Sequence, residues 1–311
     1  MTTIACIGEC MIELTEGANN GLSRGYGGDT LNTAIYLSRL GAKVDYITAL
    51  GDDPFSDEMI AGWRSEGVGT ERVVRIAGKL PGLYAIRTSE AGERSFYYWR
   101  ESAAARMLLD LPETGALLDA LASYDLIYLS GITLSLYGEA GRSRLVAALA
   151  RAHAGKTRVA FDTNFRARGW PVLEIARNAY RDVLDVADIA LASVDDLSPL
   201  YGAQPSVDTM DRLATGEIVL KLSEPACIVR ASGTDVRIAA RPVANVVDTT
   251  AAGDSFSAAY LAARLEGAAP VEAAQAGHRL AGAVVGYRGA IIPRDAMPLD
   301  ILPGETPTER S

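Results

Sequence analysis

Asp254 is the residue whose type and setting carry the most chemistry. It lies in Asn245-Val-Val-Asp-Thr-Thr-Ala-Ala-Gly-Asp-Ser-Phe-Ser257. Val246 and Val247 end a short apolar run, and Asp248, Thr249 and Thr250 follow with side chains suited to turns and helix caps, so a strand is expected to stop there. From Ala251 onward, Phe256, Ala259, Tyr260 and Ala263 fall at helical spacing up to Gly267, which predicts a helix. A helix start built from small residues leaves unpaired backbone N–H groups, and the helix dipole adds to their pull on negative charge. Ala251, Ala252 and Gly253 leave room for an anion to approach. Two readings of Asp254 stand at this point. One is an ordinary carboxylate in the first turn of a helix. The other is a base that takes a proton from an acceptor hydroxyl while the amides hold the charge of a transferred phosphoryl group.

The run Asp248-Thr-Thr-Ala-Ala-Gly-Asp254 resembles the C-terminal signature of the ribokinase-like, PfkB-type carbohydrate kinases, usually Asp-Thr-x-Gly-Ala-Gly-Asp. Ala251 stands at the usual glycine. A residue entering a right-handed helix takes φ near about −60°, so alanine is expected to fit without strain. Gly27, Gly28, Asn32, Ala34, Gly41 and Gly51 match the N-terminal signature of the same family, and Thr30 replaces its usual small residue. The resemblance implies a three-layer α/β/α fold with a mostly parallel central sheet and a small β-sheet lid. It also implies ATP and Mg2+ as cofactors, with Asp254 and the amides of Ala251, Ala252 and Gly253 as the catalytic group.

The elements needed to position that group follow from the apolar patterns. Ile4 to Leu14 reads as one buried strand around Gly8, with Glu9 and Glu13 near its end. A helix through Leu31, Ala34, Ile35 and Leu37 ends at Gly41, and Val44, Tyr46 and Thr48 form the next strand. Asp53-Pro54 opens a helix with Phe55, Met59 and Trp63 on one face. Short strands at 73–76, 83–88 and 96–99, with turns at Pro81-Gly82 and Glu90-Ala-Gly-Glu93, suggest a small sheet. The whole chain, 1–311, is expected to form one domain, with lid strands from about 12–28 and 72–107. By the resemblance the lid covers the sugar and pairs two subunits, which makes a homodimer the expected assembly.

Strands are also predicted at 126–129, 159–161, 189–192 and 218–222, and a hairpin at 227–239 around Ser232-Gly233. Gly155-Lys-Thr157 closes a helix before a strand, whereas a phosphate loop follows a strand and opens a helix, so it reads as a cap and turn. The last helix runs from Pro270 to Val285, and Pro303 to Ser311 reads as a frayed tail.

Asp162-Thr-Asn-Phe-Arg166 ends a strand, where open α/β sheets place their ligands. A cap at Asp162 and a solvated Arg166 would explain the same residues. In Gly92-Glu-Arg-Ser-Phe-Tyr-Tyr-Trp-Arg100, strand alternation puts Tyr98 and Arg100 on one face. Simple packing explains an aromatic strand, but a guanidinium beside a tyrosine suits an acceptor that carries a carboxylate. These segments, with Tyr287-Arg-Gly-Ala-Ile-Ile-Pro-Arg294, are similar to the branch of the family that phosphorylates 2-keto-3-deoxygluconate at its 6-hydroxyl. The resemblance implies that Gly28, Tyr84, Tyr98, Arg100, Arg166 and Asp254 contact the sugar acid. It places ATP across Asn164, Ser193, Lys221, Ser223 and residues Ala251, Ala252 and Gly253, with His278 near the base, and it assigns no residue to the metal. Ser193-Val-Asp-Asp196 and Lys221-Leu-Ser223 depart from the usual Asn-x-x-Glu and Lys-x-Gly.

Other members of the family, acting on fructose or ribose, are the nearest alternative. Gly253-Asp-Ser255 is also similar to the nucleophile motif of GDS-type serine esterases, which carry it near the N-terminus beside an Asp and His pair not evident here. With 311 residues, 49% hydrophobic and 22% charged, the chain suits one large α/β domain rather than a disordered segment. A net charge of −9 opposes a nucleic-acid surface. The three cysteines and two histidines show no metal-ligand spacing. No basic leader or spanning apolar run is present, so a cytoplasmic protein with no membrane contact is expected.

Overall fold

Successive side chains of a strand point to opposite faces of its sheet, and strand β1 (Thr3–Ile7) buries apolar groups on both. Ile4 and Cys6 join one hydrophobic cluster, and Ala5 and Ile7 join a second. Helices α1 (Asp29–Arg39), α2 (Pro54–Ser65), α8 (Ala252–Leu265) and α9 (Pro270–Val284) complete the first cluster. The second is completed by α3 (Thr114–Asp119), α4 (Gly131–Leu136), α5 (Glu139–Ala154), α6 (Leu173–Leu184) and α7 (Val194–Tyr201). Helices on both faces of one sheet give the three layers expected. The structure is a computed structural model and describes residues 2–17, 21–88, 94–202 and 210–304.

The large sheet has nine strands in the order β13-β12-β11-β10-β9-β8-β1-β4-β5. Its further members are β4 (Lys43–Gly51), β5 (Val73–Ile76), β8 (Leu126–Ser130), β9 (Arg158–Asp162), β10 (Ile189–Ser193) and β11 (Glu217–Lys221), with the hairpin β12 (Ala226–Ala231) and β13 (Thr234–Ala239) at one edge. Every neighbouring pair from β5 to β11 is parallel, and the hairpin pairs are antiparallel. Ser232 and Gly233 turn the hairpin with φ of 51° and 75°, as the twist of a two-residue loop demands. Strand order reverses between β1 and β8, and at such a switch point the strand ends open into a ligand crevice. Ser130, Asp162, Ser193 and Lys221 are the last residues of β8, β9, β10 and β11.

A second sheet has four strands in the order β3 (Leu22–Gly27), β2 (Met11–Glu16), β6 (Leu83–Thr88), β7 (Arg94–Trp99). The run Ile4–Leu14 is therefore two strands in two sheets, not one. The break falls at Gly8, where a Cβ would overlap Thr30 Oγ1. Thr30, the residue out of pattern, fills the space that Gly8 leaves and shares a 3.0 Å hydrogen bond with the Tyr46 hydroxyl. Val73–Ile76 also departs from expectation, because β5 pairs with β4 at the edge of the large sheet. Short apolar runs do not reveal which sheet they join. Nor does a strand end at Val247: residues 240–249 run without regular structure, Val246 and Val247 are exposed, and the amides of Val247 and Asp248 bond Val285 O.

Met59 and Trp63 are buried as predicted, but Phe55 faces outward beneath the Arg24 guanidinium, 5.1 Å from its ring centre. Arg24 and Tyr26 of β3 both bond Glu58 of α2, at 2.6 and 2.5 Å. Gly155-Lys-Thr157 is the cap and turn expected between α5 and β9. The turn expected at Glu90–Glu93 and most of the tail after Pro303 lie outside the described residues. All three cysteines are buried free thiols. Among the described residues, no helix is long and apolar enough to cross a membrane.

The chain passes between the sheets at Glu9, Gly28, Gly82 and Arg100, and these residues meet. A Cβ on Gly28 would overlap Glu9 O, and one on Gly82 would lie 3.0 Å from Glu9 Oε1 and 3.1 Å from Arg100 Cβ. Glu9, only 2% exposed, is ion-paired with Arg100.

Candidate active site

The turn into α8 is held by Asp248. Its Oδ1 accepts from Thr250 N and Oγ1 at 2.9 and 2.7 Å, and its Oδ2 accepts from Gly289 N at 3.0 Å. Ala251 has φ 59° and ψ 14°, so the expectation of a right-handed conformation fails. It stands just before the helix and closes the turn through the left-handed region, where a Cβ costs roughly 1–2 kcal/mol. That is a physical reason for glycine at this place in the family signature. The first helical bond of α8 runs from Ser255 N to Ala251 O at 2.9 Å, so the amides of Gly253 and Asp254 lie ahead of it. A Cβ added to Gly253 would meet only Lys221 Nζ, at 3.6 Å. The helix start thus opens onto a cation, a cradle that fits a phosphate chain.

Asp254 is half-buried, and its Oδ2 accepts from Asn32 Nδ2 at 2.8 Å. Thr33 Oγ1 lies 3.2 Å from Asp29 O and 3.3 Å from Asp254 O, joining the first turns of α1 and α8. Burial, followed by the charge of Asp29, pushes the Asp254 carboxyl up to about 8; Asp162 adds to the rise, and the Asn32 hydrogen bond and Lys221 oppose it. Such a group changes protonation near neutral pH, as a base for a hydroxyl proton should. Asp29 is also raised by burial, against hydrogen bonds from Ser130, Thr30 N and Asn164.

Lys221 Nζ is 3.1 Å from Asp162 Oδ2, which also accepts from Ser257 Oγ at 2.9 Å. Burial disfavours the ammonium, but Asp162 and Asp196 outweigh it and hold Lys221 above its usual range. Asn164, at φ 24°, donates to Asp29 Oδ2 at 2.7 Å. Arg166 reaches Asp196 at 3.0 Å and stays largely exposed, while Thr163 Oγ1 donates to the same carboxylate at 2.9 Å. The Ser193 hydroxyl caps α7 by accepting from Asp196 N at 3.1 Å, and Ser223 Oγ donates to Asp195 at 3.2 Å. His278 bonds Ile238 O at 3.2 Å and meets Phe256 edge-on at 5.0 Å. Burial lowers its pKa, so the ring is neutral with Nε2 as donor.

The fold therefore brings Asp254, the small residues before it, Lys221 and Asn164 into one bonded group. Arg166, Ser193 and Ser223 meet around α7 beside that group. His278 stands apart, bonded to β13. Among the described residues, no set of three His, Cys, Asp or Glu side chains is placed to hold a metal. A nucleotide-bound Mg2+ asks less of the protein, usually one or two carboxylates, and Asp162 and Asp196 at this edge suit that role. Ser255 is fully buried and donates to Ala252 O at 3.0 Å, so it is not presented as an esterase nucleophile.

On the small sheet, Tyr84 lies opposite Tyr98 with rings 5.8 Å apart, and the Tyr84 hydroxyl donates to Glu13. A Cβ on Gly27 would overlap that hydroxyl. Arg100, read from sequence as a contact for the acceptor, has Glu9 as its ion-pair partner. The two are in contact without alignment: neither Glu9 oxygen and neither Nε nor Nη2 of Arg100 has a hydrogen-bond partner. Buried charged atoms left this way have capacity for a further polar ligand. Sequence reasoning missed Asp29, Asp196, Glu9 and Glu13 as site residues and used Asn32 only as a spacing marker. The position of Asp29 directly after Gly27-Gly28 was the available signal.

A model of the pfkB family of carbohydrate kinases matches residues 1–297. A 2-dehydro-3-deoxygluconokinase of Dickeya dadantii is 48% identical over 96% of this chain and 100% of its own length. One of Escherichia coli K12 is 45% identical over 95% and 98%. Among solved structures, a fructokinase with bound ATP from Xylella fastidiosa has a TM-score of 0.81 at 22% identity, covering 95% of each chain. The 2-dehydro-3-deoxygluconokinase of Thermotoga maritima has a TM-score of 0.78 at 21% identity, covering 94% of this chain and 96% of its own. With the signature turn, the switch-point crevice and the four-stranded sheet all present, this chain belongs to the pfkB family of carbohydrate kinases.

Proposed function

We propose that this chain transfers the γ-phosphoryl group of ATP to the 6-hydroxyl of 2-keto-3-deoxygluconate, the compound also called 2-dehydro-3-deoxygluconate. The observation that carries the chemistry is the helix start at Gly253-Asp254, where a carboxylate of raised proton affinity, open amides and Lys221 share one site. The substrate follows from relatives of that name at 48% and 45% identity and from Arg100 beside Tyr84 and Tyr98, a set suited to a carboxylate.

In this reading Asp254, in its ionised form, accepts the proton of the 6-hydroxyl as the oxygen attacks the γ-phosphorus. Asn32 fixes the carboxylate through Oδ2. The amides of Gly253 and Asp254 and the Lys221 ammonium stabilise the charge on the transferring group, and Asp162 holds that ammonium in place. Asp162 or Asp196 would hold a nucleotide-bound Mg2+, which would supply charge neutralisation for the phosphates. The small sheet supplies contacts to the acid through Arg100, Tyr84 and Tyr98, with Gly28 at its root. Asn164, Ser193 and Ser223 line the nucleotide side, Arg166 faces both the sugar acid and the phosphates, and His278 lies beyond them.

The test is ADP release from ATP and Mg2+ with 2-keto-3-deoxygluconate, fructose, ribose and gluconate in parallel, for wild type and Asp254→Asn. Turnover with the keto acid alone, lost in the variant, is the expected result. Turnover on a neutral sugar would overturn the acceptor, and near-normal turnover of Asp254→Asn would overturn the base.

A further inference from the structure

Glu9 has a side chain only 1% exposed, and the proposed chemistry does not use it. It is one of the three residues between β1 and β2, in closely packed backbone. A Cβ on Gly28 would overlap Glu9 O and lie 3.1 Å from Cys10 Cα, and one on Gly82 would lie 3.0 Å from Glu9 Oε1. Ile12 N bonds Gly82 O at 2.8 Å, which ties β2 and β6 together at their roots. Arg100 comes directly after the Leu83–Trp99 pair of β6 and β7. Its Cβ would lie 3.1 Å from a Cβ on Gly82, and its carbonyl accepts from Ala103 N at 3.1 Å. Glu9 and Arg100 therefore both project from fixed backbone.

Arg100 Nη2 touches Glu9 Oε2, and Nε and Nη2, which form one edge of the guanidinium, are both enclosed. The Arg100 side chain as a whole is 16% exposed, so its exposure lies away from that edge. A guanidinium has five N–H donors, more than one carboxylate can use. We propose that Glu9 is a positioning residue for the choice of acceptor: it holds the Nε–Nη2 edge of Arg100 from behind and leaves the Nη1 end to the acceptor's carboxylate. This rests on the reading of Arg100 as an acceptor contact. Because the pair touches without aligned hydrogen bonds, Glu9 fixes the guanidinium by charge and enclosure rather than by a directed bond. Arg100 keeps its proton at any working pH, and a buried carboxylate parts from such a cation only at a large cost. Glu9 itself is too enclosed to touch the acceptor, so its effect passes through Arg100.

The experiment measures kcat and the KM values for 2-keto-3-deoxygluconate and ATP in wild type, Glu9→Gln, Arg100→Met and the double variant. Glu9→Gln keeps the size of the side chain and removes its charge. It should raise KM for the keto acid about 10-fold, with kcat and KM for ATP within about twofold of wild type. In the Arg100→Met background the same change should add nothing to KM for the keto acid, since the guanidinium through which it acts is gone. A merely structural Glu9 would lower kcat or the melting temperature and leave KM for the keto acid unmoved, and that result would overturn the inference. So would an equal rise in KM with and without Arg100. Glu9→Asp keeps the buried charge but draws it back by one methylene, and KM for the keto acid should rise several-fold. If Glu9→Gln does not fold, an unmoved KM in Glu9→Asp overturns the inference by itself. An unmoved KM for the keto acid in Arg100→Met alone would overturn it from beneath, by removing Arg100 as an acceptor contact, and that single variant tells the two failures apart.

Discussion

A carboxylate at a helix start proposed to receive phosphate stands in conflict with its own site, and Asp254 shows how the conflict is held. Its raised proton affinity means that the ionised form opposes folding. The folded-state value, about 8, lies above the ordinary 3.8, so the penalty is absent below pH 3.8, grows between the two values and is complete above about 8. Asp254→Asn should therefore raise Tm at pH 8.5 and leave it nearly unchanged at pH 4, by about 2–4 °C for each kcal/mol relieved, while kcat falls by about 10²- to 10⁴-fold. Thermal melts at the two pH values read the first effect and steady-state kinetics the second. Lys221→Gln leaves the buried Asp162 without its cation, and a loss of roughly 3 kcal/mol in chemical denaturation is expected, with a higher KM for ATP. At Ala251 the left-handed strain and the extra chain entropy of glycine offset each other. Ala251→Gly should change stability by less than about 1 kcal/mol and keep full turnover.

At the scale of elements, the fit between Gly8 and Thr30 decides where the first strand leaves one sheet for the other. Gly8→Ala should cost about 2–3 kcal/mol through overlap with Thr30. Adding Thr30→Ala should recover part of that loss, a coupling that a double-mutant cycle by urea denaturation measures. The same pair marks the boundary of what could be read from sequence. Helices α1, α5, α8 and α9 were legible because their apolar spacing and glycine stops are local features. The division of Ile4–Leu14 and the membership of Val73–Ile76 were not, because runs of buried residues look alike in either sheet. Val246-Val247 misled for the opposite reason: two β-branched residues lie on an exposed segment that bonds the end of α9. In the site, Asp254, Lys221 and Asn164 were legible from motifs. Asp29 and Glu9 act through neighbours more than a hundred and about ninety residues away, respectively, and no local pattern reports such pairings.

At the scale of the molecule, the proposed acceptor and phosphate contacts come from different sheets. Arg100→Lys keeps the charge but loses the planar fork, so KM for the keto acid should rise by about 10- to 100-fold with kcat nearly preserved, as an acceptor titration at saturating ATP would show. The small sheet shares no strand pairing with the large one among the described residues, and it is rooted where Glu9, Gly28, Gly82 and Arg100 meet. That rooting makes the protein modular. On the proposed assignment, mutations on β2, β3, β6 and β7 would retune the choice of sugar while the helix end at Asp254 is inherited intact, provided the four-residue junction is carried over as a unit.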